Sequence, residues 1–133
     1  MVVVDTSLWI EYFAKPVRTH SKTLDELDQL IEDGVVAIVQ PIRAELKSGI
    51  IKSSKLAQFD RVIGSLENAD PDWNSELTWA MVAKLAETCR KARIPTPGLV
   101  DRMILAACES SGNRLWTLDL KLEKLAKHLG LAK

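Results

Sequence analysis

Val2-Val3-Val4-Asp5-Thr6-Ser7-Leu8-Trp9-Ile10 opens the chain. Three β-branched residues in a row, with no polar alternation, describe a strand buried on both faces, as in a parallel sheet. Asp5-Thr6-Ser7 then offers capping side chains. Leu8 to Phe13 makes a short helix, with Trp9, Tyr12 and Phe13 at i, i+3 and i+4.

The same grammar continues outward from this stretch. Lys15 to Ser21 is polar, contains Pro16 and reads as a loop. Ser21 or Thr23 caps a second helix to about Asp33, with Leu24, Leu27, Leu30 and Ile31 on one face, and Gly34 closes it. Val35 to Val39 is a second buried strand. Pro41 suits the first turn of a third helix reaching Ser48 or Ile50, and Ser53 to about Leu66 forms a fourth. Asn68 to Trp73 is ambiguous, at most a short edge strand broken by Pro71. Asn74 or Ser75 caps a long helix to about Arg93, with Leu77, Met81, Leu85 and Cys89 four apart. Ile94-Pro-Thr-Pro-Gly98 breaks the chain. Thr96 as cap and Pro97 as first residue then open a helix to about Ser111, ended by Gly112. Arg114 to Leu118 is a strand, and Leu120 to Leu129 a last helix with Leu122, Leu125 and Leu129 inside. Strands alternating with helices predict an α/β fold, three layers with helices on both faces of a parallel sheet of about four strands. The whole of 1–133 reads as one domain.

Composition narrows the function. Of 133 residues, 47% are hydrophobic and 27% charged, which excludes a disordered or fibrous chain. Eighteen basic residues balance eighteen acidic ones, so no overall field gathers a polyanion and any such partner must be held locally. Cys89 and Cys108 lack metal or redox spacing and read as small core residues of a reducing compartment. Asp5 ends the first apolar run too early for a signal peptide, and no segment approaches the roughly 18 apolar residues of a membrane span. The expected location is the cytoplasm.

In a parallel sheet, ligands bind beyond the carboxyl ends of the strands. Asp5 and Asp119 stand at two such ends and either converge there or cap the helices that follow. At about 100° per residue, Ile42, Leu46 and Ile50 span an arc of about 80°, and Glu45 lies about 60° from Ile42 on the Gly49 side, with Arg43 and Lys47 opposite. Glu45 therefore flanks the buried stripe, or snorkels from its edge to water. Asp101, in the second turn of the helix opened by Pro97, has Ile104, Leu105 and Cys108 at i+3, i+4 and i+7. Such an acid needs a buried salt bridge or a cation. Four carboxylates converging on one point would repel and raise one another's pKa values, and a divalent cation relieves this. Oxygen ligands alone favour Mg²⁺ or Mn²⁺. His20 and His128 fall outside ligand spacing and read as surface residues. A metal site of this kind hydrolyses phosphodiesters through activated water. Thr6, Ser7 and Thr117 flank the acids, where their hydroxyls either position a water, metal or phosphate or simply bond the turns.

At these residues the chain resembles the PIN-domain family, and by size its VapC toxins. Val-Val-Val-Asp5-Thr-Ser-Leu-Trp-Ile matches the first motif, Pro41-Ile-Arg-Ala-Glu45-Leu supplies the Glu, Gly98-Leu-Val-Asp101-Arg-Met-Ile-Leu-Ala-Ala the third acid, and Leu115-Trp-Thr117-Leu-Asp119 the end of the last core strand. The ordered set spans nearly the whole chain. Glu11 stands where many relatives carry Asp, and a terminal fifth strand, given the end at Lys133, must be very short. The resemblance implies an endoribonuclease using Mg²⁺ or Mn²⁺ held by Asp5, Glu45, Asp101 and Asp119, a VapB-like antitoxin, and a homodimer.

Trp9, Tyr12 and Phe13 are either core or the lining of a groove for an antitoxin helix. Of the scattered basic residues, Arg102 and Arg43 are the candidates for RNA contact, although Lys and Arg near helix C-termini also offset the helix dipole. Three other functions compete: a PIN-type RNA-processing nuclease without an antitoxin, a phosphoacceptor receiver domain, and a non-catalytic Mg²⁺-binding regulatory module. A receiver needs an adjacent acidic pair after its first strand, where this chain has Asp5-Thr6.

Overall fold

The computed structural model describes residues 1–14 and 21–133. The loop expected over Lys15 to Ser21, apart from Ser21 itself, and the surface reading of His20 lie outside the described residues. The elements run β1 (Val2–Val4), α1 (Thr6–Ala14), α2 (Lys22–Glu32), β2 (Val36–Ile38), α3 (Gln40–Glu45), α4 (Leu56–Gly64), β3 (Glu67–Asn68), α5 (Glu76–Ala92), α6 (Leu99–Ser111), β4 (Arg114–Trp116) and α7 (Leu120–His128). The strands form one sheet in the order β3-β2-β1-β4, and every pairing is parallel. Val3 and Val4 of β1 and all of β2 are buried, so helices cover both faces, as the unbroken apolar runs require. The expected α/β architecture of about four parallel strands is what the chain adopts.

That strand order positions the site. From β1 the chain steps outward to β2 and then β3, and returns to the other side of β1 to lay down β4. The order reverses between β1 and β4, and the crevice at such a reversal is where open parallel sheets bind ligands. Asp5 follows β1 directly, and Thr117 and Asp119 follow β4.

Several boundaries differ from expectation, each for a local reason. α1 begins at Thr6, immediately after the strand. α3 is short: regular helix stops at Glu45 and passes into a widened turn, Leu46–Ile50, broken at Ser48 and at Gly49, whose φ of +91° suits a residue without Cβ. A single tight turn, Ser53–Lys55, precedes α4. β3 sits at Glu67–Asn68, just before the stretch expected, pairing with Ala37 and Ile38. Ser75 caps α5, accepting the Leu77 N–H at 3.2 Å. Leu77, expected inside, is 81% exposed, whereas Leu85 and Cys89 are buried as expected and Val82 joins them. Thr96 and Pro97 do not open α6. Gly98 is the residue before the helix, extended at φ −62° and ψ 171°, and Leu99 is the first helical one. This puts Asp101 in the first turn rather than the second, where a carboxylate also meets the positive end of the helix dipole. β4 ends at Trp116, freeing Thr117 and Leu118 to turn. The expected short fifth strand is one parallel bridge, Leu115 to Ala132.

Among the aromatic trio the core reading holds. Trp9 is fully buried and donates Nε1–H to the Val4 carbonyl at 2.9 Å. Phe13 stacks on it at 5.8 Å and meets Phe59 at 5.5 Å. Tyr12 packs edge-on to both and donates its hydroxyl to Asp28 at 3.0 Å. Each of Trp9 and Phe13, buried in this way, contributes on the order of 2–3 kcal/mol. Cys89 and Cys108 are free and buried, as expected, and His128 is exposed.

Candidate active site

Asp5 is only 4% exposed, and the fold supplies its partners. Ser7 Oγ donates to Asp5 Oδ2 at 3.0 Å and Thr117 Oγ1 donates to the same oxygen at 2.7 Å. Each hydroxyl then accepts a backbone N–H from the turn after β4: Leu118 N–H to Ser7 Oγ and Asp119 N–H to Thr117 Oγ1, both at 3.0 Å. Two side chains thus bind the end of β1 to the end of β4 and orient the carboxylate between them. Of the alternatives for these hydroxyls, turn bonding describes both, and through it they hold Asp5.

Glu45 and Asp101 are placed differently. Both are half-buried. Burial pushes the Glu45 carboxyl above its usual range, the Asp5 and Asp101 charges push it further, and the Thr6 hydroxyl opposes them. Burial likewise raises Asp101, followed by the Asp5 and Asp119 charges, while Lys121 opposes. Glu45 thus feels the charges of Asp5 and Asp101, and Asp101 those of Asp5 and Asp119. Glu45 Oε1 and Thr6 Oγ1 are nonetheless buried without a hydrogen-bond partner. Asp119 is exposed and caps α7, its Oδ1 accepting the Leu122 N–H at 3.0 Å. Capping is thus the role its side chain visibly fills. Among the described residues, no three His, Cys, Asp or Glu side chains are already drawn together as a ligand set.

A divalent cation nevertheless suits the donors present. An unbonded buried carboxylate oxygen facing like charges is costly unless a cation meets it. Glu45 Oε1 is such an atom, and every candidate ligand is a hard oxygen.

Of the candidate RNA contacts, Arg102 is largely committed elsewhere. Its Nε donates to the Pro97 carbonyl at 3.2 Å and one Nη to the Val82 carbonyl at 3.3 Å, tying the α5–α6 connection together. Arg43, expected on a solvated face, is half-buried with its Nε–H lacking a partner. Two features escaped sequence reading. The Lys121 charge acts to lower the Asp101 carboxyl. Asp70 Oδ1 accepts the Gln40 N–H at 2.8 Å and the Trp73 indole N–H at 2.7 Å, anchoring the start of α3 and hence Glu45. Its only sequence signal is a turn residue before Pro71. The Cys108 thiol, buried and facing the Asp5 charge, is pushed up to about 12 and stays a neutral core group. Beside α1 lies a cavity of about 200 Å³ lined by Ile10, Phe13, Ala14, Ile50 and Ile51 together with Lys52, Ser54 and Lys55.

Known proteins resemble this chain in sequence and fold. The chain is similar to VapC ribonuclease Mb1587 of Mycobacterium bovis and to ribonuclease VapC11 of Mycobacterium tuberculosis, each 24% identical over 129 residues, covering 96% of this chain and 92% of theirs. Its fold is similar to that in the crystal structure of FitAcB from Neisseria gonorrhoeae, with a TM-score of 0.68 at 20% identity over 96% of this chain and 94% of that one. FitAB bound to an IR36 DNA fragment matches equally, with 91% of that chain covered. The PIN domain family description matches residues 2–128, from the first strand through the last helix and across all four acids. The chain belongs to the PIN-domain family.

Proposed function

We propose that this protein is a metal-dependent endoribonuclease of the VapC kind, the toxin of a VapBC-type pair, with Asp5, Glu45, Asp101 and Asp119 holding Mg²⁺ or Mn²⁺. The observation that carries the reading is Glu45 Oε1, buried without a hydrogen bond and facing the Asp5 and Asp101 charges near the switch point of the sheet. When bound, the cation supplies an activated water and offsets charge on the leaving oxygen. The chain's own residues do the rest. Ser7 and Thr117 fix the Asp5 carboxylate in one orientation by donating to Oδ2. Asp70 fixes α3, so Glu45 faces the site rather than water. Asp119 keeps one oxygen on the α7 cap, which sets its angle. Burial and like charges disfavour the ionised forms of Glu45 and Asp101, and a bound cation would offset that.

The same reading gives the protein a VapB-like antitoxin, a second copy of itself as partner, and a cytoplasmic location. The apolar cavity beside α1 offers a seat for an amphipathic helix, with Phe13 rather than Trp9 or Tyr12 at its wall. Exposed Leu77, Leu99 and Val100 offer apolar surface to a protein partner. No helix among the described residues is long and apolar enough to cross a membrane. Incubating single-stranded RNA with the chain in Mn²⁺, in Mg²⁺ and in a chelator tests the reading. Cleavage with either metal and none with chelator is expected. Cleavage undiminished by chelator contradicts it.

A further inference from the structure

Four buried side-chain atoms lack a hydrogen bond among the described residues: Thr6 Oγ1, Arg43 Nε, Glu45 Oε1 and Asp70 Oδ2. Asp70 is held through its other oxygen. Arg43 carries two more guanidinium nitrogens and is only half-buried. Thr6 differs from both. Its hydroxyl is its sole polar side-chain atom, and the residue is just 6% exposed. A hydroxyl withdrawn from water without a partner is costly, so its presence here calls for a reason.

The other two hydroxyls of the crevice do not share this state. Ser7 and Thr117 each donate to Asp5 and each accept a backbone N–H. Thr6 stands between Asp5 and Ser7 as the first residue of α1, and the Asp5 carbonyl accepts the Leu8 N–H at 3.1 Å to start that helix. Its backbone is therefore fixed to the end of β1, while its hydroxyl is felt by Glu45 of α3. It lies close enough to favour the ionised Glu45 carboxylate, yet no well-formed hydrogen bond joins the two. A hydroxyl has one proton and two lone pairs. The proton is drawn toward the carboxylate, which only accepts. The lone pairs meet no donor among the described residues. A phosphate oxygen brings no proton to them and is repelled by the acids around it. Water is a small neutral donor, and buried waters commonly serve polar groups that lack other partners.

We propose that Thr6 positions the water that attacks the scissile phosphodiester, accepting one of its protons at Oγ1 so that a water lone pair faces phosphorus. The proposal rests on the nuclease reading. In the step, the water oxygen forms a new P–O bond, and the bond from phosphorus to the departing ribose oxygen breaks. The proton lost by the water passes to solvent, and the departing oxygen takes one up from solvent. Thr6 keeps its own proton throughout. Its task is orientation, distinct from that of Ser7 and Thr117, which hold Asp5.

The test compares the intact chain with Thr6→Val, which keeps the shape and removes the hydroxyl, and with Thr6→Ser, which restores it. Three quantities are read: the metal-free melting temperature, the Mn²⁺ affinity by isothermal titration, and kcat and KM on a single-stranded RNA taken from a randomised pool that the parent cuts. Thr6→Val should melt at or above the parent temperature, since no hydrogen bond is lost. It should bind Mn²⁺ as the parent does, while kcat falls roughly 10–100-fold with KM little changed. Thr6→Ser should recover most of that loss. A Thr6→Val chain with the parent's kcat, or a Thr6→Ser chain as slow as Thr6→Val, overturns the proposal. Mn²⁺ affinity falling in step with kcat also overturns it and makes Thr6 a ligand of the cation. A lower metal-free melting temperature in Thr6→Val overturns it as well, because the hydroxyl is then structural. If the parent cuts no RNA in the pool, the nuclease reading falls and the proposal with it. If the parent cuts and Thr6→Val cuts as fast, the proposal falls alone.

Discussion

The two sides of the acidic crevice are built on opposite terms. On the β1–β4 side, Asp5 is almost wholly buried and satisfied by two hydroxyls, which are themselves tied to backbone N–H groups. On the α3–α6 side, Glu45 and Asp101 are raised by burial and by like charges, and Glu45 Oε1 makes no well-formed hydrogen bond, with the Thr6 hydroxyl near enough only to oppose the shift. The fold completes one side and leaves the other unfinished. A site organised to accept a cation has this shape: one carboxylate held still as the anchor, and others whose repulsion a ligand removes. Asp70 Oδ2 is also buried and unbonded, but Asp70 is held through its Oδ1, whereas the Glu45 carboxyl faces the Asp5 and Asp101 charges.

The largest expected effect sharpens that contrast. Asp5→Ala and Asp101→Asn should both abolish metal-dependent RNA cleavage, by more than the roughly 10–100-fold typical of changes outside the ligand set, yet their stabilities should diverge. Asp5→Ala leaves the buried Thr117 hydroxyl and the half-buried Ser7 hydroxyl without their acceptor and should lower stability by about 1–3 kcal/mol. Asp101→Asn removes a repelled charge and should raise the metal-free melting temperature, by about 3 °C for each kcal/mol gained. Thermal melts of both, without metal, decide it; equal destabilisation would erase the distinction between the two sides.

Next in size is Thr117→Val, which removes one donor to Asp5 and the acceptor for the Asp119 N–H. Activity should fall roughly 10–100-fold, with metal affinity falling in parallel in a Mn²⁺ titration. The pH dependence is subtler. Glu45 and Asp101 have carboxyls raised in the folded state, so the fold favours their protonated forms. Their ionisation costs stability as pH rises through the carboxylate range, and that cost is removed as pH falls through it. Glu45→Gln should therefore stabilise the metal-free chain at neutral pH, with the gain over the parent vanishing in acid. Paired melts across that range measure it, and a constant difference at all pH values would break the account. The smallest effect belongs to Asp119. Asn caps as well as Asp does, so Asp119→Asn should hold stability within about 0.5 kcal/mol while cleavage declines. A melt and a cleavage assay on the same preparation separate the two roles.

Much of this was legible in the chain itself. Val2 to Val4 and the second β-branched run dictate buried parallel strands, and from them follows the edge where Asp5 and Asp119 emerge. Glu45 was legible because helical spacing placed it beside Ile42 and Leu46, both fully buried. What sequence could not supply was tertiary. Leu77 sits at helical spacing from a buried face yet faces water, because the exposed start of α5 is not covered by a neighbouring element. Thr96 and Pro97 carry strong local signals for opening α6, but the extended backbone at Gly98 delays the helix, and so shifts Asp101 by a turn. Arg102 looked available because it follows Asp101. Its guanidinium instead meets two carbonyls, one of them twenty residues away at Val82. Asp70 holds α3 across thirty residues, a pairing without local periodicity.

The central claim is that the unfinished side of the crevice exists to take a divalent cation. Isothermal titration of the chain with Mn²⁺ at neutral pH tests it most directly. The account predicts saturable binding, and loss of that binding in Glu45→Gln. Absence of specific uptake by the parent, or uptake unchanged in Glu45→Gln, would contradict it.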